Sequence, residues 1–138
     1  MNTSEMGIKG EMYCLQQLIK LGWSLEVNVD YKNIDFALKK RNKILKFQIK
    51  TSEKRTTFRI SKNHKKNELK YLLDSWNFLL FTNLKDIWVL PYELLKRGCG
   101  EFVRVKGEYN CFKNRFNLLE MNDFQIKEFM LDNRITWN

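Results

Sequence analysis

One acid, one amide and one lysine lie close together in the segment IDFALKKRNKILKFQIKTS, residues 34–52. Asp35 stands in a first apolar-alternating stretch, and Gln48 and Lys50 stand in a second one after a basic turn. Carboxylate and amide oxygens are ligands that hard divalent cations such as Mg²⁺ prefer. An ammonium group beside such a cation can orient a water molecule or stabilise charge that grows on a phosphate. These residue types indicate metal-dependent phosphodiester hydrolysis, provided that the chain brings them together.

A tight hairpin would place these three side chains on one face. If Arg41-Asn42 is a two-residue turn, the numbers of opposed residues sum to 83. Asp35 then lies opposite Gln48 with Cβ atoms about 5 Å apart, and Lys50 follows two residues later on the same face. The other face pairs apolar residues: Ile34 with Ile49, Phe36 with Phe47, and Leu38 with Leu45. A longer loop would keep the two faces but make the pairs diagonal.

The expected metal ligands extend beyond the hairpin. They are the carboxylates of Asp35 and Glu11, the amide oxygen of Gln48 and the backbone carbonyl of Ile49. Glu11 belongs to a predicted N-terminal helix in which Gly7 and Gly10 come just before it. Because glycine has no side chain, these two positions would let the helix approach the sheet closely. We therefore expect Glu11 to reach the same metal.

The net charge of +9 is concentrated in one part of the chain. Residues 39–70 contain 13 Lys or Arg and two acids, whereas the remainder holds 12 basic and 14 acidic residues. A localised basic excess indicates a polyanion-binding surface, nucleic acid above all, and a solvated lysine-rich face is the plainer alternative. The candidate nucleic-acid contacts are Lys54, Arg55, Arg59, Lys62, His64, Lys65 and Lys66. The hydroxyls of Thr51, Ser52, Thr56 and Thr57 either contact phosphates as well or belong to an ordinary polar strand end.

Helical and strand patterns alternate along the chain. A helix is predicted over residues 4–21, with Ser4 as its N-cap, Gly22 as its stop, and an apolar repeat of Met12, Leu15, Leu18 and Ile19. Besides the hairpin, strands are predicted over residues 23–29, 57–61, 76–82, 87–91, 101–107 and 115–120. Further helices are predicted around 68–73 and over 92–98 and 123–131. This order predicts the α/β or α+β class, with one mixed sheet flanked by helices.

Other features exclude several classes of protein. No apolar run approaches the length that spans a membrane, and the start lacks a signal-peptide pattern, so we expect a cytoplasmic protein. The three cysteines (Cys14, Cys99 and Cys111) lack metal-ligand spacing and are expected to be reduced thiols. His64 is the only histidine and has no nucleophile beside it, and no phosphate-binding GxxxxGK[ST] motif is present. Length predicts a single domain.

The candidate catalytic residues together resemble the signature of the PD-(D/E)XK nuclease superfamily. Glu11 in GEMYCLQQLIKLGW, Asp35 in NIDFAL, and Gln48 and Lys50 in FQIKTS match a glutamate on the first helix, an aspartate on a strand and E/D/Q-x-K on the next strand. The later segment WNFLLFTNLKDIWVLPYELLK resembles the strand pair and helix that follow in that family, so the resemblance covers residues 5 to about 97. Gln48 is a departure, because the family usually has an acid there. The Q-x-K variant resembles a subgroup that includes a cyanobacterial intron-encoded homing endonuclease.

The resemblance implies a restriction-endonuclease-like fold with a four-stranded mixed sheet, and Mg²⁺-dependent cleavage of double-stranded DNA, with Mn²⁺ able to substitute. A homing-type site-specific endonuclease fits it best. The alternatives are a Holliday-junction resolvase-like nuclease, a catalytically silent DNA-binding module in which Gln48 marks lost chemistry, and an RNA-directed nuclease.

Two-fold assembly is the last expectation. A short chain that cuts both strands of a duplex needs two active sites, so a homo-oligomer, either a dimer or a tetramer, is expected. Residues 98–138 lie outside the resemblance and form a lineage-specific extension. Its apolar residues either supply the subunit interface or pack on the chain's own core: Phe124, Ile126, Phe129, Met130, Leu131, Ile135 and Trp137.

Overall fold

A computed structural model describes residues 2–59, 76–98 and 102–135. The helices there are α1 (Thr3–Lys20), α2 (Tyr92–Gly98) and α3 (Asp123–Asp132). The strands are β1 (Ser24–Leu25), β2 (Phe36–Lys40), β3 (Lys43–Thr51), β4 (Thr57–Arg59), β5 (Phe78–Thr82), β6 (Ile87–Pro91) and β7 (Phe102–Arg104). Two 3-10 helices, Gly107–Phe112 and Phe116–Glu120, precede α3. Several predictions lie outside the described residues: the helix around 68–73, Lys62, His64, Lys65, Lys66, Cys99 and Trp137.

Helix α1 begins earlier than its sequence signals predicted. Asn2 is the N-cap, and its side-chain oxygen accepts a hydrogen bond from the Glu5 N–H at 2.9 Å. The assignment of Ser4 as the cap is therefore wrong, because Ser4 lies within the first turn. The predicted stop is confirmed, since Gly22 follows the last turn with a φ of 99°, a left-handed conformation that glycine adopts without a Cβ clash.

The face of α1 that packs on the sheet differs from the predicted one. Gly10, Cys14 and Leu18, spaced four residues apart, are its buried positions. Of the apolar repeat that predicted the helix, Leu18 is buried and Leu15 packs against the core, whereas Met12 is 64% exposed and Ile19 is 50% exposed. Residues four apart lie on one side of a helix, and Gly10 and Cys14 are too small to stand out as part of an apolar repeat.

The hairpin of β2 and β3 has the predicted register. Phe36 pairs with Phe47, Leu38 with Leu45 and Lys40 with Lys43, which leaves Arg41 and Asn42 as the two-residue turn. Arg41 has a φ of 56°, as tight turns require at such a position. The apolar pairs are buried, so the face that carries Gln48 and Lys50 is the other one.

The central sheet has five strands in the order β1-β2-β3-β5-β6. Strands β3 and β5 are parallel, while every other neighbouring pair is antiparallel, so the sheet is mixed and flanked by helices as predicted. The sheet has one strand more than the implied four. The strand predicted over 23–29 is shorter in the structure, where it consists of β1 alone. Val27, which the alternating pattern included, is 67% exposed and does not pack on the core.

The remaining elements form a second layer beside this sheet. Strand β4 pairs with β7 in a separate two-stranded sheet, and the Phe58 ring stacks on Phe81 of β5 with centroids 5.0 Å apart. The strand predicted over 115–120 is wrong, since this segment is the 3-10 helix Phe116–Glu120. Just before it, Asn114 Oδ1 accepts a hydrogen bond from the Ile87 N–H, and the Asn114 N–H donates to the Ile87 carbonyl. These two hydrogen bonds cover the outer edge of β6 at Ile87.

The C-terminal segment contributes to the core. Ile126, Met130 and Ile135 are buried together with Phe112 and Leu118. Two apolar residues of α3 remain outside it: Phe124 is 68% exposed and Leu131 is 65% exposed. In the described ranges, no helix is both long and apolar enough to cross a membrane.

Candidate active site

The site forms where α1 crosses the carboxyl end of β3. Gly10 lies so close to Thr51 that a Cβ on Gly10 would be 1.7 Å from Thr51 Oγ1 and 2.7 Å from Thr51 Cβ. No described atom lies within 4 Å of the corresponding position at Gly7. The expectation of a close helix–sheet approach therefore holds for Gly10 and is wrong for Gly7. The contact sets the distance between α1 and β3 next to Glu11 and Lys50.

Asp35 is held by the backbone of β3 on both sides of Gln48. Its N–H donates to the Phe47 carbonyl at 2.8 Å, and its Oδ2 accepts a hydrogen bond from the Ile49 N–H at 2.7 Å. Asp35 thus stands one residue before β2, and its carboxylate replaces a backbone acceptor at the end of the ladder. This fixes the position of the carboxylate beside Gln48.

The carboxyl groups of Glu11 and Asp35 lie close enough to interact. Burial and the interaction with Asp35, including its negative charge, raise the pKa of Glu11 from 4.5 to about 7. Two neighbouring carboxyl groups favour a shared proton or a bound cation, because ionising both brings two negative charges together. The sequence prediction that the first helix brings Glu11 to Asp35 agrees with this contact.

Lys50 is partly buried on the same face of β3 as Gln48, because the intervening Ile49 points into the core. Burial lowers the pKa of Lys50, and the negative charge of Asp35 opposes that shift. The ammonium group is therefore within electrostatic reach of the carboxyl pair. The face that the hairpin register predicted brings together Asp35, Gln48 and Lys50.

Cys14, which the sequence predicted only as a reduced thiol, is a neighbour of the site. Its side chain is fully buried, and burial together with the charges of Asp35 and Glu11 raises the pKa of its thiol to about 12. The thiol is thus protonated at neutral pH and offers a small apolar support beneath the carboxyl pair. The sequence feature that could have indicated this position is the spacing of Cys14, one helical turn after Glu11.

The donor set suits a hard cation. In the part of the chain that is described, no cluster of three or more His, Cys, Asp or Glu side chains is arranged to hold a metal. Two carboxylates are present, and a hard cation accepts neutral oxygens for its other positions. Gln48 carries an amide oxygen and Ile49 a backbone carbonyl next to the pair. Their roles as ligands stay predictions.

The described residues include three of the candidate nucleic-acid contacts, Lys54, Arg55 and Arg59. Lys54 and Arg55 are exposed on the loop between β3 and β4, and the Arg55 N–H donates to Ser52 Oγ at 2.9 Å. The backbone of Arg59 is in β4, opposite Phe102. The loop begins after Thr51, one residue beyond Lys50, and carries the positive charge of Lys54 and Arg55.

The fold is similar to that of a known nuclease. One solved structure, described as the bacterial homing endonuclease I-Ssp6803I, aligns with a TM-score of 0.65 over 92% of this chain and 98% of that chain, at 17% sequence identity. No protein-family model matches the sequence, and no curated protein matches it. At this identity the comparison establishes that the two chains share a fold.

Proposed function

We propose that this protein is a metal-dependent endonuclease that hydrolyses phosphodiester bonds of double-stranded DNA, as a site-specific enzyme of the homing type. The observation that carries this proposal is the position of Asp35, fixed to the backbone of β3 beside Gln48 and Lys50, with the Glu11 carboxyl close enough to interact with it. A half-buried carboxyl pair with a lysine beside it supports the site that the PD-(D/E)XK resemblance implies, in its Q-x-K variant.

Each side chain of the site has a separate task in this reaction. Asp35 and Glu11 supply the charged ligands, and Gln48 and the Ile49 carbonyl supply neutral ones. A bound Mg²⁺ or Mn²⁺ would polarise the phosphate and lower the pKa of a bound water molecule. Lys50 stabilises the charge that grows on the phosphate, or orients the attacking water. A water oxygen bonds to phosphorus, the bond from phosphorus to the leaving sugar oxygen breaks, and that oxygen takes up a proton.

Two observations favour DNA as the substrate. The chain shares its fold with a homing endonuclease, and Lys54 and Arg55 extend positive charge from the end of β3. Phosphate contacts of this kind position a duplex without reading its sequence. We further propose that the enzyme acts as a homo-oligomer, because two antiparallel strands require two sites related by a two-fold axis.

The test is a cleavage panel with the full chain. Supercoiled plasmid, a four-way DNA junction and single-stranded RNA are incubated with Mg²⁺, with Mn²⁺ and with EDTA. We expect nicked and linear plasmid in the presence of either metal and no cleavage in EDTA. Cleavage that persists in EDTA would overturn the metal requirement, and cleavage confined to the junction or to RNA would replace the proposed substrate.

Asp35→Asn is the matched control for this panel. Asparagine keeps an oxygen that can accept the Ile49 N–H, so the hairpin end is preserved while the negative charge is lost. We expect no cleavage, and DNA binding that is equal or tighter, since a negative charge beside the phosphate is removed. Asp35→Ala should behave in the same way. Wild-type protein that binds DNA but never cuts it would favour the silent module, in which Gln48 has replaced an essential acid.

A further inference from the structure

A cleft lies between the first turns of α1 and the segment that follows Lys50. Its volume is about 760 Å³. Asn2, Thr3 and Met6 form one wall, and residues 51–55 with Thr57 and Phe58 form the other. This volume is within the range of sites that hold small ligands or one unit of a polymer.

The cleft begins at Thr51, the residue that follows Lys50 in the chain. Thr51 lines the cleft and contacts Gly10, and its chain neighbour Lys50 lies beside Asp35. Met6 is one helical turn before Gly10, and Glu11 is the residue that follows Gly10. A polymer whose reacting phosphate is at the carboxyl pair would have its next unit at this opening.

The lining has the chemistry of a nucleotide subsite. Hydroxyl and amide groups come from Asn2, Thr3, Ser52 and Thr57, and Lys54 and Arg55 outweigh the single acid Glu53. Met6 and Phe58 supply apolar surface, and the stacking of Phe58 on Phe81 holds that ring in place. Hydroxyls, amides and cations are the groups that contact phosphates and sugars in protein–DNA complexes.

We infer that this cleft binds the DNA backbone unit next to the scissile phosphate, with its phosphate at Lys54 and Arg55 and its sugar against Met6 and Phe58. The inference rests on the proposed function and adds to it the first turn of α1 as a DNA-binding wall. It places a part of the substrate at residues 2–6, which the basic segment does not include.

A pair of charge substitutions in one helical turn tests the inference. Thr3→Glu puts a negative charge on the cleft, whereas Ser4→Glu puts the same charge on an exposed neighbour that does not line it. Acids in the first turn of a helix are favoured by its dipole, so both variants should fold at least as well as wild type. Thermal unfolding checks this before any binding is measured.

Binding is measured by fluorescence anisotropy with a labelled double-stranded oligonucleotide, with Ca²⁺ in place of Mg²⁺ to prevent cleavage. We expect Thr3→Glu to weaken binding about ten-fold at low salt, the scale of one repulsive charge pair near a surface, and Ser4→Glu to change it less than about two-fold. Thr3→Lys should strengthen binding, and added salt should reduce both effects.

The outcomes separate this inference from the proposed function. Equal effects of Thr3→Glu and Ser4→Glu, in wild-type protein that binds and cuts DNA, would overturn the cleft assignment alone. A tighter complex with Thr3→Lys and a weaker one with Thr3→Glu, without a change at Ser4, would establish it. Wild-type protein that neither binds nor cuts DNA would overturn the function instead.

Discussion

Gly10 on α1 and Thr51 at the end of β3 are packed so closely that a Cβ on Gly10 would overlap Thr51 Oγ1, at 1.7 Å. Glu11 and Lys50 are their immediate chain neighbours, and both lie within electrostatic reach of Asp35. The glycine therefore determines how near the helical carboxylate comes to the sheet, and the first prediction concerns this contact.

Gly10→Ala should impair cleavage and lower the free energy of unfolding by about 1–3 kcal/mol, as overpacking does in well-packed sites. Alanine has the better helix propensity, so the loss would come from the collision with Thr51. Urea denaturation and plasmid cleavage measure the two effects. Gly7→Ala is the matched control, because that position is open and the change should stabilise the helix by about 0.5–1 kcal/mol.

The double variant Gly10→Ala/Thr51→Gly separates the contact from other effects. Removal of the Thr51 side chain frees the space that the new methyl group needs, so cleavage should recover relative to Gly10→Ala alone. Thr51→Ala should rescue less, because its own Cβ would still be 2.7 Å from the new Cβ. Two losses that simply add would contradict a positioning role for the contact.

Lys50→Ala should lower the rate of cleavage by about two to four orders of magnitude, the scale of one electrostatic catalytic group. DNA affinity should change much less, because Lys50 is partly buried beside Asp35 and acts on the reacting phosphate. Single-turnover cleavage and anisotropy measure the two quantities. Lys46→Ala, four residues earlier on the same strand, is the control. If affinity and rate fall equally, Lys50 is a phosphate contact only.

Glu11 makes the stability of the metal-free protein dependent on pH. Because folding raises its pKa from 4.5 to about 7, the folded state binds this proton more tightly than the unfolded state does. The associated stability is complete below about pH 4.5 and is lost as the pH rises through about 7. Urea midpoints across this interval should therefore decline in wild type when EDTA is present.

Glu11→Gln is the control for this pH effect. The amide keeps a hydrogen-bonding group beside Asp35 but cannot ionise, so the decline should be absent or much smaller. Mg²⁺ should stabilise wild type most at the alkaline end, where both carboxylates are ionised and the cation replaces the proton between them. A variant with the same pH profile as wild type would show that another group is responsible.

Gln48→Glu tests the amide that departs from the usual acid. A third negative charge would raise the affinity of the site for divalent cations, because hard cations prefer carboxylates to amides. We expect cleavage to be retained, with a lower Mg²⁺ requirement or an altered preference between Mg²⁺ and Mn²⁺. A metal titration of the cleavage rate measures this. Unchanged metal dependence would place Gln48 outside the ligand set.

Assembly and DNA affinity are predicted together. Sedimentation should report a dimer or tetramer, and the logarithm of the DNA association constant should fall with the logarithm of salt concentration by about 0.9 for each phosphate contact. The double variant Lys54→Ala/Arg55→Ala should reduce that slope by the amount expected for two phosphate contacts. A strict monomer would contradict the assembly, and an affinity that salt does not change would contradict the basic DNA-facing surface.

Short-range patterns predicted the elements that carry the site. The register of the β2–β3 hairpin follows from pairing arithmetic, because a two-residue turn at Arg41-Asn42 admits one alignment, which places Phe36, Leu38, Leu45 and Phe47 on one buried face. The strands at Phe78–Thr82 and Ile87–Pro91 and the helix Asp123–Asp132 also follow from local patterns. The segment at 115–120 does not, since a strand-like pattern there is overridden by packing at the edge of β6.

By itself, the sequence determined that Asp35, Gln48 and Lys50 share a face, because side chains in a strand alternate with a period of two. Only the tertiary structure decided that Glu11 would meet Asp35, that Cys14 would lie beneath them, and that Met12 would face outward. These relationships depend on how α1 is rotated and how closely it approaches β3. That geometry is set where Gly10 meets Thr51, a contact across 41 residues of chain that no local periodicity encodes.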